Sequence, residues 1–213
     1  MSLTRVVVTY ISDHLNYLNF NMPNLYIIAG CNGSGKTTAS ESLLPDLLDC
    51  REFVNADSIA LGISPYNVES VAFEAGRIML QRINHLLYEK MDFAFETTLS
   101  TRSYVGLIKR AKELGYNVNL IFFWLDSPEM AKDRVLNRTR NGGHNIPPDV
   151  IERRYYRGIQ NLINLYMPVC DGWQVYNNID KTPSMISLGV LNEVITIFQE
   201  DIWNKIQLIG KKR

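Results

Sequence analysis

The sequence lacks a long apolar run, and its N-terminus lacks the basic and then apolar layout of a secretory signal. A membrane-spanning helix needs roughly 20 consecutive apolar residues, and no stretch of the chain approaches that length. We therefore expect no membrane partner and a cytoplasmic location. The composition, 46% hydrophobic and 21% charged, is typical of a chain that folds around an apolar core.

Cysteine is scarce, with single residues at positions 31, 50 and 170. Their odd number and wide spacing argue against a disulfide framework, and they form no metal-ligand pattern, so we expect reduced thiols. Cys31 lies in a glycine-rich loop, where it could be modified or could simply fill space. No charge predominates either, because 22 Lys and Arg residues balance 22 Asp and Glu residues. We expect nucleic acid not to be a partner, and any basic site to be local.

The most informative stretch is Gly30-Cys31-Asn32-Gly33-Ser34-Gly35-Lys36-Thr37, which follows an apolar run at 25–29. Two glycines separated by four residues, then Lys and Thr, are typical of a loop whose backbone amides cradle a polyphosphate. In that interpretation Lys36 reaches the β- and γ-phosphates and the Thr37 hydroxyl binds Mg²⁺. The alternative is a glycine-rich turn without a ligand, which needs neither the Lys nor the Thr. The predicted nucleotide contacts are Gly30, Asn32, Gly33, Ser34, Gly35, Lys36, Thr37 and Thr38.

Strand and helix patterns alternate along the chain. The expected strands lie near 25–29, 52–55, 93–95, 118–125 and 173–176, with helices between them and a closing helix over 186–209. This alternation predicts an α/β fold, a parallel sheet with helices on both faces. We expect one domain over residues 23–213, preceded by an N-terminal extension at 1–22.

Two acids follow predicted strands and should share a rim with the glycine-rich loop, because ligands bind at the carboxyl ends of parallel strands. Asp57 could accept the proton of a substrate hydroxyl, or it could cap a turn before Ser58. Glu96 could hold the acceptor or a metal-bound water, or it could be a solvated strand end. Thr97, beside it, is a further candidate for substrate binding.

Several arginines flank the pair Gly142-Gly143 between two predicted helices, over residues 134–157. This layout is typical of a lid that closes over a triphosphate and brings guanidinium groups to the transferring phosphoryl group. Arg138 and Arg154 are the catalytic candidates. The alternative is that these arginines are ordinary charges on exposed helix faces.

Four segments in order resemble the zeta-toxin-like P-loop kinases, over roughly residues 24–180. They are residues 26–37, the run Asn55-Ala56-Asp57, residues 95–99, and residues 142–147 before Arg154-Tyr155. The resemblance implies a P-loop kinase core of five parallel strands in the order 2-3-1-4-5, using ATP and Mg²⁺. Better-known zeta toxins phosphorylate the 3′-hydroxyl of the amino sugar in UDP-N-acetylglucosamine and related nucleotide sugars.

By that likeness, Asp57 matches the catalytic base, Lys36 and Thr37 the nucleotide and metal contacts, and Glu96 a substrate-side acid. The Gly-Gly-His form of the lid departs from the archetypal toxins. The resemblance also makes an antitoxin protein a candidate partner.

The sequence thus predicts an ATP-dependent kinase that phosphorylates a hydroxyl of a small molecule such as a nucleotide sugar. Three alternatives stay open. One is a kinase on the same scaffold for a drug, a free sugar or a polynucleotide end. Another is a nucleotide-dependent switch or binding protein that phosphorylates no acceptor. The third is a toxin scaffold held inactive by a partner.

Overall fold

The computed structural model describes residues 22–140, 146–180 and 182–211. Nearly all of the predicted extension and the glycine pair of the predicted lid therefore lie outside the described residues. Within those ranges the chain forms one seven-stranded sheet with apolar cores on both of its faces.

The sheet has the order β2-β3-β1-β4-β5-β6-β7. Its strands are β1 (Asn24–Ala29), β2 (Glu52–Val54), β3 (Phe93–Thr97), β4 (Asn117–Trp124), β5 (Gly172–Asn177), β6 (Ser184–Val190) and β7 (Glu193–Ile197). The first five strands are parallel to one another, which confirms the predicted order 2-3-1-4-5. All five carboxyl ends consequently meet at one rim.

Seven α-helices connect and cover the described strands. They are α1 (Lys36–Ser42), α2 (Ala56–Ile63), α3 (Ala72–Tyr88), α4 (Tyr104–Glu113), α5 (Pro128–Arg140), α6 (Pro148–Asn161) and α7 (Glu200–Lys211). Short π-helical turns at Leu43–Leu47 and Leu162–Tyr166 extend α1 and α6, and a 3₁₀ turn at Val68–Val71 precedes α3. In the described ranges, no helix has both the length and the apolar character to cross a membrane.

The central strand β1 is apolar on both faces because both are covered. It pairs in parallel with β3 on one side and β4 on the other. Successive side chains of a strand point to opposite faces. Leu25 and Ile27 accordingly join a core with α3, α4, α6 and α7, while Tyr26 and Ile28 join a second core with Leu44, just after α1.

The first half of the predicted closing helix over 186–209 is wrong. The chain there forms an antiparallel hairpin of β6 and β7 beyond β5, so the sheet has seven strands rather than five and is mixed. Val190 pairs with Glu193, which leaves a two-residue turn. The apolar residues of this segment fit a helical or a strand period, and the β-branched residues of β7 favour the strand.

A second departure from the prediction is α2, which begins directly after β2. The sequence interpretation of Asp57 was a catalytic base or the cap of a turn, with no helix start at this point. The helix begins because the Asn55 side chain accepts the backbone N–H groups of Asp57, at 2.8 Å, and Ser58, at 3.1 Å. Asp57 therefore lies in the first turn of a helix rather than in an isolated turn.

The hairpin can be tested at Gly189, where an added Cβ would lie 2.1 Å from the Glu193 carbonyl oxygen and 2.2 Å from the Trp173 ring. We expect Gly189→Ala to lower the free energy of unfolding, measured in urea, by about 1–3 kcal/mol because of overpacking. The matched control is Gly106→Ala in α4, where a Cβ meets nothing within 4 Å and should stabilise the helix by about 0.5–1 kcal/mol. A stability gain in both variants would contradict the hairpin.

Candidate functional site

The glycine-rich loop lies between β1 and α1, at the rim where the parallel strands end. Gly30, Gly33 and Gly35 have φ angles of 144°, 78° and 81°, in a region that strains other residues. A Cβ at Gly30 would lie 2.4 Å from the carbonyl oxygen of Phe123 in β4. A Cβ at Gly35 would lie 2.4 Å from Asn178 Nδ2. The glycines are thus required both by the backbone conformation and by close packing.

Lys36 begins α1 and is only 5% exposed. Its Nζ donates a hydrogen bond to the Cys31 carbonyl oxygen at 2.9 Å and lies 3.5 Å from Glu96 Oε1. A buried cation is stable only when it is paired, and Glu96 supplies the opposite charge. The ammonium group therefore lies across the loop, next to the backbone that would hold a phosphate.

Glu96, near the end of β3, joins the loop to the neighbouring strand. Its Oε2 accepts hydrogen bonds from the Thr37 hydroxyl and from Asn55 Nδ2, both at 2.8 Å. In the part of the chain that the structure describes, no cluster of three or more His, Cys, Asp or Glu side chains could hold a metal ion. Mg²⁺ in nucleotide sites is nevertheless bound by only one or two protein oxygens, because phosphate and water supply its other ligands. The Thr37 hydroxyl and the Glu96 carboxylate are oxygen ligands of this kind, so these residues fit Mg²⁺.

Asp57 of α2 and Arg154 of α6 interact electrostatically at this rim. Asp57 is exposed, whereas Arg154 of α6 is half-buried and its Nη1 donates to Asn32 Oδ1 at 3.2 Å. Burial lowers the pKa of the Arg154 guanidinium, the Asp57 carboxylate opposes that shift, and Arg153 adds to it. Arg154 is therefore in contact with the loop and within electrostatic reach of the predicted base.

Other predicted nucleotide and substrate contacts take different positions around the loop. Ser34 is fully buried, and its hydroxyl has no hydrogen-bond partner among the described residues. Thr38 is exposed on α1. Thr97 is buried and accepts the backbone N–H of Leu99 at 3.1 Å, so its hydroxyl supports the turn after β3.

The two predicted lid arginines differ in position. Arg138 is exposed on α5 and, over the ranges that the structure describes, makes no hydrogen bond or ion pair, whereas Arg154 contacts the loop. Residues 141–145, which include the glycine pair of the predicted lid, lie outside the described residues. The lid stays a prediction.

Two asparagines of this rim were not selected as site residues from the sequence. Asn178, just after β5, is 8% exposed and donates from Nδ2 to the Ser34 carbonyl oxygen at 2.6 Å. Asn55, just after β2, contacts Glu96 and begins α2. Both directly follow parallel strands, so the rule that placed Asp57 at the rim could have found them.

Comparison with known proteins places the chain in a family. The sequence model of the zeta toxin family matches residues 9–183. The chain belongs to the zeta toxin family. This match includes the whole glycine-rich loop, Asp57, Glu96 and Arg154, and it ends one residue before β6. The resemblance to the zeta-toxin-like P-loop kinases that the sequence predicted is therefore confirmed.

Among individual proteins, an uncharacterized protein of Haemophilus influenzae is 32% identical over 126 residues, which are 59% of this chain and 88% of that protein. Of solved structures, the AvrRxo1-ORF1:AvrRxo1-ORF2 complex with sulphate ions is 17% identical, with a TM-score of 0.71 over 95% of this chain and 69% of the other. The structure of the PezAT chromosomal toxin–antitoxin system of Streptococcus pneumoniae is 17% identical, with a TM-score of 0.64. The match covers 98% of this chain and 93% of the other. These likenesses show a shared fold, the predicted α/β fold of the P-loop kinases.

Cys31, inside the loop, can be tested for reactivity. Burial raises its pKa to about 11, although Lys36 opposes the shift. Because the thiolate is the reactive form, the thiol stays protonated and unreactive until the pH approaches that value. We expect iodoacetamide at pH 8 to label Cys31 roughly a hundredfold more slowly in the native protein than in the unfolded chain, measured by mass spectrometry of its peptide. Equal rates would favour the alternative that Cys31 is a modification site.

Proposed function

We propose that this protein is an ATP-dependent kinase that transfers the γ-phosphoryl group of ATP to a hydroxyl group of a small molecule. The observation that carries the proposal is the convergence of Lys36 and Thr37 on one carboxylate, that of Glu96, at the rim that also bears Asp57. Membership of the zeta toxin family supports a kinase. A second structure of the AvrRxo1-ORF1:-ORF2 complex, with ATP, supports ATP as the phosphoryl donor.

On the nucleotide side, the loop amides and the first turn of α1 would hold the phosphates by hydrogen bonds and partial positive charge. Lys36 would exchange its bond to the Cys31 carbonyl oxygen for bonds to phosphate oxygens. Thr37 and Glu96 would hold Mg²⁺, which when bound neutralises charge on the β- and γ-phosphates. Asn32, Ser34 and the neighbouring loop residues would complete the cradle.

On the acceptor side, Asp57 would accept the proton of the attacking hydroxyl. The new bond forms between the acceptor oxygen and the γ-phosphorus as the bond to the bridging oxygen of ADP breaks. Arg154, already half-buried at the loop, would stabilise the charge that develops on the transferring group. Arg138 and the predicted lid over 134–157 would close over the phosphates, and Thr97 would line the acceptor side.

Within this reaction class we favour a nucleotide sugar such as UDP-N-acetylglucosamine as the acceptor, because the family resemblance implies it. PezAT is a toxin–antitoxin system, and AvrRxo1-ORF1 was solved together with AvrRxo1-ORF2. Both support an antitoxin protein as a partner of this chain. The balanced charge and the apolar pattern support a cytoplasmic location without a membrane or nucleic-acid partner.

The role of Asp57 can be tested by Asp57→Asn, which keeps the size of the side chain and removes its basicity. We expect kcat to fall by about 10²–10⁴, while the affinity for ATP stays within roughly twofold. The control is Asp201→Asn, which removes the same charge from an exposed position on α7 and should change neither quantity. Undiminished turnover in Asp57→Asn would remove this residue from the mechanism.

The reaction itself can be tested by incubating the protein with ATP, Mg²⁺ and a panel of nucleotide sugars, free sugars, nucleosides and oligonucleotides. We expect one added phosphate on a nucleotide sugar by mass spectrometry. Lys36→Ala should abolish it because the phosphates lose their buried cation, whereas Lys109→Ala, at an exposed position on α4, should not. Release of free phosphate with no product in the panel would contradict the kinase and favour the nucleotide-dependent switch.

A further inference from the structure

Asn55 uses both ends of its side-chain amide, and each end contacts a different part of the proposed active site. It is 5% exposed and lies between β2 and α2. Its Oδ1 accepts the backbone N–H groups of Asp57 and Ser58, at 2.8 and 3.1 Å. Its Nδ2 donates to Glu96 Oε2 at 2.8 Å. One buried side chain thus links the helix that carries the predicted base to the acid that contacts the loop.

The sheet register brings Asn55 and Glu96 together. Val54 of β2 pairs with Phe95 of β3 in a parallel ladder. The residues that follow them, Asn55 and Glu96, therefore lie side by side. Neighbouring residues in such a register point to the same face of the sheet. The contact between the two side chains is therefore fixed by strand pairing and does not depend on a flexible loop.

The amide also fixes how the Glu96 carboxylate is turned. With Nδ2 and the Thr37 hydroxyl both bonded to Oε2, the other oxygen, Oε1, faces the Lys36 ammonium. Removing the Nδ2 donor would let the carboxylate rotate toward the cation and away from Thr37. An amide is suited to this position because it donates a hydrogen bond to Glu96 without adding a charge beside it.

We propose that Asn55 is a positioning residue of the kinase reaction, which holds Asp57 and Glu96 at fixed places relative to Lys36 and Thr37. The inference rests on the proposed function and adds a residue to it. Asn55 touches neither the phosphates nor the acceptor in this role. It acts on the chemical step through the two acids, and Ser, Asp or Asn would serve equally if it only began α2.

The decisive variants separate the two ends of the amide. Asn55→Ser keeps a short oxygen that can accept the N–H groups of α2 but loses the donor to Glu96. Asn55→Asp keeps the same acceptor at full length, loses the donor and places a second carboxylate against Glu96. We expect Asn55→Ser to melt within a few degrees of the wild type, because it keeps a good helix N-cap, and Asn55→Asp to melt lower, because its carboxylate repels that of Glu96.

For turnover we expect a loss that, in Asn55→Ser, is not explained by a loss of stability. In steady-state kinetics, kcat should fall at least tenfold in Asn55→Ser and further in Asn55→Asp, while KM for ATP changes by less than about threefold, since the loop itself is intact. Asn67→Asp adds the same charge at an exposed position before the 3₁₀ turn and should leave kcat unchanged.

Three results would overturn the role of Asn55. Wild-type kcat in Asn55→Ser would show that only the helix start matters, and a kcat loss in Asn55→Ser in proportion to its loss of thermal stability would show the same. The side-chain amide resonance of Asn55, identified by its absence in Asn55→Asp, should also shift in Glu96→Gln, and an unmoved resonance would refute the contact. If the wild-type protein phosphorylates no acceptor, the proposed function fails. The measurement on the wild type therefore distinguishes that failure from a failure of the role of Asn55.

Discussion

A buried ammonium group, that of Lys36, is the constraint on which the rest of the site depends. Its burial requires a nearby anion, and β3 lies immediately beside β1 in the sheet, so the end of β3 is where that anion can stand. Glu96 occupies this position and also accepts hydrogen bonds from Thr37 and Asn55. The charge requirement of one side chain thus connects the glycine-rich loop, β3 and the start of α2.

The loop is held equally firmly on its other side, by close packing. Gly30 lies so close to the backbone of β4 that no side chain fits, and Asn178, beyond β5, binds the Ser34 carbonyl oxygen. Arg154 of α6 adds a bond to Asn32. Strands and a helix thus contact the loop on both sides, and such contacts lower the entropic cost of ordering a loop around an anion.

Much of this arrangement was predictable, because it depends on patterns that are local in the sequence. The alternation of strand and helix patterns predicted a parallel sheet with helices on both faces, and the glycine spacing predicted the loop. The β6–β7 hairpin was missed because its apolar residues fit the helical and the strand period equally. The start of α2 was missed because it depends on the hydrogen bonds of a single side chain, that of Asn55. Asn178 could not be paired with Ser34 from sequence, since 144 residues separate them. Arg138 and Arg154 both belong to the arginine-rich segment 134–157, so the sequence could not tell them apart. Only the contact of Arg154 with the loop distinguishes them.

The proposed function depends on binding of a triphosphate by the glycine-rich loop, which a competition experiment can measure. A fluorescent ATP analogue is bound to the wild-type protein in the presence of Mg²⁺ and displaced with ATP, ADP, AMP or adenosine. We expect saturable binding at one site and displacement that weakens steeply from ATP to AMP, because the proposed contacts with Lys36 and the loop amides are those of the β- and γ-phosphates. Absence of saturable binding, or equal displacement by ATP and adenosine, would contradict triphosphate binding by this loop.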